Sequence, residues 1–359
     1  MMSKFKRIAI KIGSNVLTKK DGTLDVTRMS SIVDQVSELH KQGVEVVMIS
    51  SGAVAAGRNK VLVDKLDAVS QRQLFSSIGQ AKLINRYYML FRDNDITCGQ
   101  VLTTKESFHT RQHYLNQRNC MQVMIENGVI PIVNENDTIS LTELMFTDND
   151  ELSGLVATMI DAQALIILSN IDGIYNGNPA DPESQVIREV LPGKRDLSQY
   201  LQTSKSSFGR GGMQSKMGIA SKVADEGVEV IIANGKRDNI ILDLLDDTKD
   251  IICTRFLPDE KVSSVKKWIA HSEGFCKGEI KIDAGAEKAI LADERCSVLS
   301  VGVISVSGKF ESGDIIRVVS ESGEQIALGK VDYSNEEVAE LIGKKADKPL
   351  IHCDYLYVV

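Results

Sequence analysis

The stretch of residues 129–154, in the middle of the chain, is rich in amide and carboxylate side chains. Its β-branched start, 129–133, predicts a buried strand, and Asn134 and Asp137 follow directly from the strand end. Because ligands of open α/β sheets bind outside the carboxyl ends of strands, these side chains are candidates for a binding site. A second cluster, 148–150, precedes a predicted helix, where capping groups and anion-facing N–H donors lie. Asx turns and a helix cap explain either cluster alone, but the two together favour a site for a small ligand that bears an amine.

Two glycine-containing loops could hold a phosphate group. Lys11 ends a predicted strand and is followed by Gly13 and Ser14, a turn that lets backbone N–H groups approach an anion. Its spacing is not that of a P-loop, and a Gly-Ser turn after a strand is often only a turn. The second loop, 208–216, carries three glycines into a predicted helix and places Lys216 near the first helical turn. Free N–H groups and the positive end of the helix dipole would then face an anion.

Strands and helices alternate along roughly the first 255 residues. The apolar patterns predict strands at 7–12, 44–50, 96–103, 129–133, 164–168, 228–233 and 251–256, and helices at 29–42, 70–94, 114–127, 152–159, 217–226 and 239–245. This alternation predicts a mostly parallel sheet that is covered by helices on both faces. Small residues at 51–57 leave room either for a ligand against the backbone or for close helix packing.

The sequence pattern changes towards the C-terminus. A charged connector at 258–273 separates a first domain, 1–257, from a second, 274–359. Short β-rich runs alternate with turns in the second domain, which predicts a small, mostly β, barrel-like fold.

Composition narrows the class of protein. The chain is 43% hydrophobic and 25% charged, which is typical of globular proteins, and its net charge of −7 gives no reason to expect nucleic acid or an anionic membrane as a partner. Six widely spaced cysteines include no C-x-x-C pair, and the N-terminus lacks the apolar core of a signal peptide. No apolar run approaches the roughly 20 residues of a membrane span. We therefore expect a reduced, cytoplasmic protein without a membrane segment.

Five motifs together resemble the amino-acid kinase family: KIGSNVL, SSGAVAAG, VNENDT, TDNDELSG and GRGGMQSK, in that order along the chain. The resemblance implies the family's α/β fold, an open, mainly parallel, eight-stranded sheet between helical layers. It also implies phosphorylation of L-glutamate by ATP, with Lys11, Asp150 and Lys216 as catalytic residues and Asp150 orienting the two lysines. Glutamate would contact Ser51, Asn134, Asp137 and Asn149. The nucleotide would contact Lys11, Gly13, Ser14, Ser169, Asn170, Arg210, Gly211, Gly212, Met213, Gln214, Ser215 and Lys216.

The chemistry of such a transfer suits these residue types. The nucleophile is the γ-carboxylate of the substrate, ionised at neutral pH, so the reaction needs positioning and positive charge rather than a general base. We expect Mg²⁺ to arrive on the nucleotide, without a protein metal site. Ser169-Asn170 and Arg210 depart from the Thr-Asp pair and the threonine that are common in the family. The resemblance further implies a place at the first step towards proline, proline as a feedback inhibitor, and a homo-oligomer of two or four chains.

The second domain contains DAGAEKAI and FESGDIIRV, which resemble the PUA domain, a module of RNA-modifying enzymes. Residues 274–359 hold ten Lys and Arg against fifteen Asp and Glu. Because RNA affinity depends on cations that neutralise phosphates, we expect no general RNA binding. Two alternatives stay open. The chain could be another kinase of the same fold, acting on aspartate, N-acetylglutamate, carbamate or a nucleoside monophosphate, or an RNA-binding protein led by its second domain.

Overall fold

The chain divides into two compact units in the computed structural model. The first comprises Met1–Ser107 and Leu115–Lys261, and the second comprises Phe108–Tyr114 and Val262–Val359. The structure describes residues 4–58, 66–108, 110–139, 149–179, 181–193, 213–259, 264–270, 272, 274, 276–292 and 296–358. The second unit therefore includes a short segment from the interior of the sequence as well as the C-terminal part.

An eight-stranded sheet forms the centre of the first unit. Its strands are β1 (Arg7–Ile12), β2 (Glu45–Ser50), β3 (Thr97–Thr103), β4 (Val129–Glu135), β5 (Ala164–Ser169), β6 (Glu189–Val190), β7 (Glu229–Asn234) and β8 (Thr254–Phe256). The strand order is β3-β4-β2-β1-β5-β7-β8-β6, and every neighbouring pair is parallel except β7 and β8. The predicted mainly parallel sheet is confirmed. Because β4, β2, β1 and β5 are adjacent and parallel, the polar residues that follow them meet at one edge.

Helices cover both faces of this sheet. The helices of the first unit are α1 (Ser14–Leu17), α2 (Val26–Lys41), α3 (Ala53–Arg58), α4 (Ala68–Arg92), α6 (Asn149–Met159), α7 (Met213–Asp225) and α8 (Ile240–Leu244). Helix α5 (Arg111–Glu126) begins in the second unit and continues in the first. On one face, Ile8 and Ile10 of β1 join a core with Met29 and Val33 of α2. On the other face, α6 contacts β1, β2 and β5, and α7 contacts α6 and β7. Since side chains alternate along a strand, Lys11 belongs to the face opposite the isoleucines.

Helix α3, which was not among the predicted elements, packs against α4 through glycine. A Cβ atom on Gly79 would lie 1.7 Å from the carbonyl oxygen of Ala53, and one on Gly57 would lie 1.9 Å from that of Phe75. Only glycine permits so close an approach at either position. The small residues at 51–57 therefore serve helix packing at Ala53 and Gly57, while residues 51–55 also line the cleft described below.

The ends of the elements differ from the predictions by a few residues. Helix α4 begins two residues earlier than predicted because the Asp67 side chain caps it, accepting hydrogen bonds from the backbone N–H groups of Val69 and Ser70 at 2.9 Å. The predicted strand at 251–256 is ordered as a strand only over Thr254–Phe256. Among the described residues, no helix is both long and apolar enough to cross a membrane.

The second unit has a five-stranded sheet and a separate core. Its strands are β9 (Gly278–Ile282), β10 (Val303–Gly308), β11 (Ile315–Val319), β12 (Gln325–Lys330) and β13 (Leu356–Val358), and its helices are α9 (Ser264–Ala270), α10 (Ala284–Ala292) and α11 (Asn335–Leu341). The order is β10-β9-β11-β12-β13, with only β9 and β11 parallel. Ile280, Val318 and Leu350 lie in the core of this sheet. The predicted small, mostly β domain is confirmed.

Candidate active site

A cleft of about 660 Å³ opens where β1, β2, β4 and β5 end. Sequence segments that are far apart in the chain meet in it. The predicted site residues that line the cleft are Lys11, Gly13, Ser14, Ser51, Asn134, Asp137, Asn149, Asp150, Ser169, Asn170 and Lys216. The strand order explains this convergence, because these residues lie at or just after the carboxyl ends of central parallel strands or in the first turn of a helix beside one.

One side of the cleft, which we call the basic half, consists of Lys11, Asp150 and Lys216. Asp150 is completely buried in the first turn of α6, and its two carboxylate oxygens pair with different lysines. Oδ1 pairs with Nζ of Lys11 and Oδ2 lies 2.9 Å from Nζ of Lys216, whose side chain is only 13% exposed. Burial alone raises the pKa of Asp150, but the two lysines outweigh it and hold the pKa below its ordinary value. Two cations share one anion, so this half has a formal charge of +1.

A second group of charged residues that lines the cleft, which we call the acidic half, consists of Arg72, Glu135 and Asp137. Nε of Arg72 donates to Oδ1 of Asp137 at 2.8 Å, and Nη2 pairs with the same oxygen and with Oε2 of Glu135 at 3.2 Å. The carboxylate side chains are 3% and 7% exposed, whereas the arginine side chain is 25% exposed. One cation here lies between two anions, so the formal charge is −1.

Asn149 connects the two halves. It precedes Asp150 in α6, and its Nδ2 lies 3.0 Å from Oγ of Ser51 and 3.1 Å from Oδ1 of Asn134. The carbonyl oxygen of Ser50 lies at 3.3 Å from the same nitrogen. These contacts tie the ends of β2 and β4 to the start of α6, which fixes the distance between the basic and acidic halves.

The ends of β1 and β5 form the remaining wall. The backbone N–H of Gly13 donates to the carbonyl oxygen of Leu168 at 3.0 Å, which holds the Gly13-Ser14 turn beside β5. Oγ of Ser169 donates to Oδ1 of Asn170 at 3.4 Å, so both side chains lie at the cleft with a defined relation to each other. The two residues that depart from the family's Thr-Asp pattern are thus cleft residues.

Part of the predicted site falls outside the described residues. The residues concerned are Asp148, Arg210, Gly211 and Gly212. Met213 and Gln214 begin α7, but their side chains are outside the described set. Ser215 follows in the first turn of α7, next to Lys216.

Sequence reasoning missed Arg72, the cation of the acidic half. The position has a recognisable signal: Arg72, Ser76 and Gln80 recur every four residues, which places them on one face of α4. The same face carries Phe75 and Gly79, both buried or tightly packed. A charged side chain on the packed face of a helix indicates a buried partner.

A sheet edge that carries a basic half beside an acidic half can hold an anionic and a cationic group in one cleft. The model of the amino acid kinase family matches residues 6–234, and that of the PUA domain matches residues 278–352. A glutamate 5-kinase of Bacteroides thetaiotaomicron is 64% identical over 360 residues and is covered completely, as is this chain. A glutamate 5-kinase of Chlorobaculum tepidum is 44% identical, with 99% of this chain and 98% of the relative covered. The chain belongs to the amino acid kinase family.

Proposed function

We propose that this protein transfers the γ-phosphoryl group of ATP to the γ-carboxylate of L-glutamate, which yields L-glutamyl 5-phosphate, the first intermediate towards proline. The observation that carries the proposal is the opposite charge of the two halves within one cleft. A relative 64% identical over its full length and named glutamate 5-kinase supports the choice of acceptor.

In this proposal the basic half binds the transferring phosphoryl group. Lys11 and Lys216 neutralise charge on its oxygens, and Asp150 holds the two ammonium groups at a fixed separation. Such preorganised charge in a buried site stabilises a transition state more than it would in water. The turn after Gly13 offers the backbone N–H group of Ser14, since the N–H group of Gly13 is bound to the carbonyl oxygen of Leu168. The sequence 210–215 carries the second phosphate-binding motif that the family pattern implies.

The acceptor needs no general base, because a γ-carboxylate is already ionised at neutral pH. The described carboxylates of the cleft, Glu135, Asp137 and Asp150, are each paired with a cation of the protein. This pairing fits a Mg²⁺ ion held by the nucleotide and water rather than by the protein. When bound, the ion would neutralise charge on the β- and γ-phosphate oxygens.

The acidic half receives the α-amino group of the substrate. Its formal charge of −1 matches a free ammonium, with Asp137 as the contact, while Ser51, Asn134 and Asn149 orient the chain of the amino acid. N-acetylglutamate, carbamate and nucleoside monophosphates lack that ammonium. Aspartate has it, but its side chain is one methylene shorter, so its carboxylate would stop short of the phosphoryl group.

A coupled assay of ADP release tests this proposal across acceptors. Purified protein, ATP and Mg²⁺ are mixed with L-glutamate, L-aspartate, N-acetyl-L-glutamate, carbamate or uridine monophosphate in turn. We expect kcat/KM for L-glutamate to exceed that for every other acceptor by at least about tenfold, the ratio that corresponds to 1.4 kcal/mol. Preferred turnover of any other acceptor would overturn the assignment.

Three further properties accompany the proposal. Proline carries an α-carboxylate and a secondary ammonium, so the acidic half can bind it as a feedback inhibitor. The family pattern also implies a homo-oligomer, dimer or tetramer, which light scattering would measure. The six cysteines, all within the described residues, form no disulfide, which supports a cytoplasmic location.

A further inference from the structure

Helix α4 directs a row of polar side chains at the residues that follow β4. Arg72 contacts Asp137 and Glu135, Ser76 donates from Oγ to Oδ2 of Asp137 at 3.3 Å, and Gln80 donates from Nε2 to the carbonyl oxygen of Glu135 at 3.2 Å. Four-residue spacing keeps all three on one helix face. The close packing of α3 on α4 at Gly57 and Gly79 holds that face against the cleft.

Within this row, Arg72 differs from its neighbours in exposure. Ser76 is fully buried and Gln80 is 7% exposed, so both serve the protein interior. The Arg72 side chain is 25% exposed and lines the cleft, although its Nε and Nη2 already bind two carboxylates. A guanidinium group has five N–H donors in a planar fork, so it can hold Asp137 and meet a further carboxylate at once.

We infer that Arg72 recognises the α-carboxylate of the amino-acid substrate and sets specificity for an α-amino acid. The inference rests on the proposed function. One carbon atom of an α-amino acid carries both an ammonium and a carboxylate group. A site that binds both groups therefore needs an anionic side chain for the ammonium and a cationic side chain beside it for the carboxylate. Asp137 and Arg72 are such a pair, with 2.8 Å between Oδ1 and Nε. Asp137 binds the ammonium and Arg72 binds the carboxylate.

The alternative role for Arg72 is purely structural, namely to neutralise two buried carboxylates. The two roles differ in how a substitution affects a ligand without an α-carboxylate. The probe is 4-aminobutanoate, which keeps the amine and the acceptor carboxylate of glutamate but lacks the α-carboxylate. A structural defect weakens binding of both ligands, whereas loss of a carboxylate contact weakens only glutamate.

The experiment measures KM for L-glutamate and the inhibition constant of 4-aminobutanoate in wild type, Arg72→Gln and Arg72→Lys. For Arg72→Gln we expect glutamate KM to rise by about 10- to 100-fold, as for a lost hydrogen bond between charged groups, with 4-aminobutanoate changed by less than about threefold. Arg72→Lys keeps the positive charge but not the planar fork of N–H donors. We therefore expect its preference for glutamate over 4-aminobutanoate to lie between that of wild type and that of Arg72→Gln. This variant provides the measurement if Arg72→Gln does not fold.

Arg58, another arginine that lines the cleft, is the matched control. We expect Arg58→Gln to keep the wild-type ratio of the two constants. An unchanged ratio in both Arg72 variants, or a ratio that collapses in Arg58→Gln instead, would overturn the inference. If wild-type protein does not phosphorylate glutamate at all, the proposed function fails, which is a different outcome from an unchanged ratio in an active enzyme.

Discussion

The two halves of the cleft are built from the same parts in opposite proportion. In the basic half a buried aspartate lies between two lysines, and in the acidic half an arginine lies between two buried carboxylates. Each central residue holds its two partners in place. The cationic side chains of the two halves also differ in solvent exposure: those of Lys11 and Lys216 are 7% and 13% exposed, whereas that of Arg72 is 25% exposed.

Opposite net charges in the two halves allow one cleft to bind two ligands of different charge. A shared counter-ion lowers the cost of burying like charges and leaves one net charge for the ligand. The leftover charge is positive where the phosphoryl group would bind and negative where the ammonium would bind. Substitutions in the two halves should therefore affect different kinetic constants.

The largest effect should come from the basic half. We expect Lys11→Ala and Lys216→Ala each to lower kcat by about 30- to 1000-fold, or about 2–4 kcal/mol, with a much smaller change in glutamate KM, because their charge acts mainly in the transition state. Steady-state kinetics with circular dichroism as the folding check would measure this. Lys105→Ala is the control, since Lys105 pairs at 3.3 Å with Glu151 of α6, the residue after Asp150, but does not line the cleft. A loss below tenfold in both folded variants would remove the lysines from the mechanism.

The acidic half should show the reverse pattern. Asp137→Asn keeps the shape and the hydrogen-bonding capacity towards Arg72 and Ser76 but removes the charge that we assign to the ammonium. We expect glutamate KM to rise by about 10- to 100-fold while the KM for ATP stays within about threefold. Initial-rate measurements over both substrates separate the two constants. Equal increases would mean that Asp137 does not belong to the acceptor side.

A smaller effect concerns the pH dependence of stability. The folded pKa of Asp150 lies below its ordinary value of 3.8, so its pairing stabilises the folded state fully above that value. The contribution is lost as the pH falls through the lower, folded pKa. Urea unfolding between pH 6 and pH 3 should therefore show a steeper loss of stability below about pH 4 for wild type than for Asp150→Asn. Identical slopes would indicate that the shared aspartate is not linked to folding in this way.

The smallest effect is expected outside the cleft, in the acidic C-terminal part of the second unit. Residues 274–359 carry fifteen acidic against ten basic side chains. We expect filter binding of the full-length protein to bulk transfer RNA to give no dissociation constant tighter than micromolar at low or at physiological salt. Micromolar or tighter binding that weakens with salt would show that the PUA match at 278–352 carries an RNA-binding activity despite its charge.

Much of the fold and of the cleft was predictable from the sequence, for a local reason. Lys11, Asp137 and Asn149 each stand at a strand end or a helix start, positions that apolar periodicity reveals. Since adjacent parallel strands end at one edge, such residues meet without any knowledge of distances. The motif order then suggested which family supplies the remaining roles.

Arg72 and α3 could not be predicted in the same way, because both depend on long-range packing. Arg72 stands 65 residues before its partner Asp137, on a helix that a sequence pattern places on the surface as readily as at a site. The glycine contact between Gly79 and Ala53, which brings that helix to the cleft, is visible only in three dimensions. Likewise, the sequence contains the charges of both halves but does not reveal which cation each carboxylate binds.

If the acidic half recognises the substrate's ammonium group by its excess negative charge, a ligand without that group must bind more weakly. Calorimetric dissociation constants of L-glutamate and glutarate test it most directly, since glutarate is glutamate without the amine. We expect wild-type protein to bind glutarate about 10- to 100-fold more weakly than glutamate, and Asp137→Asn to abolish most of this difference. Equal or tighter binding of glutarate by the wild-type protein would contradict the account.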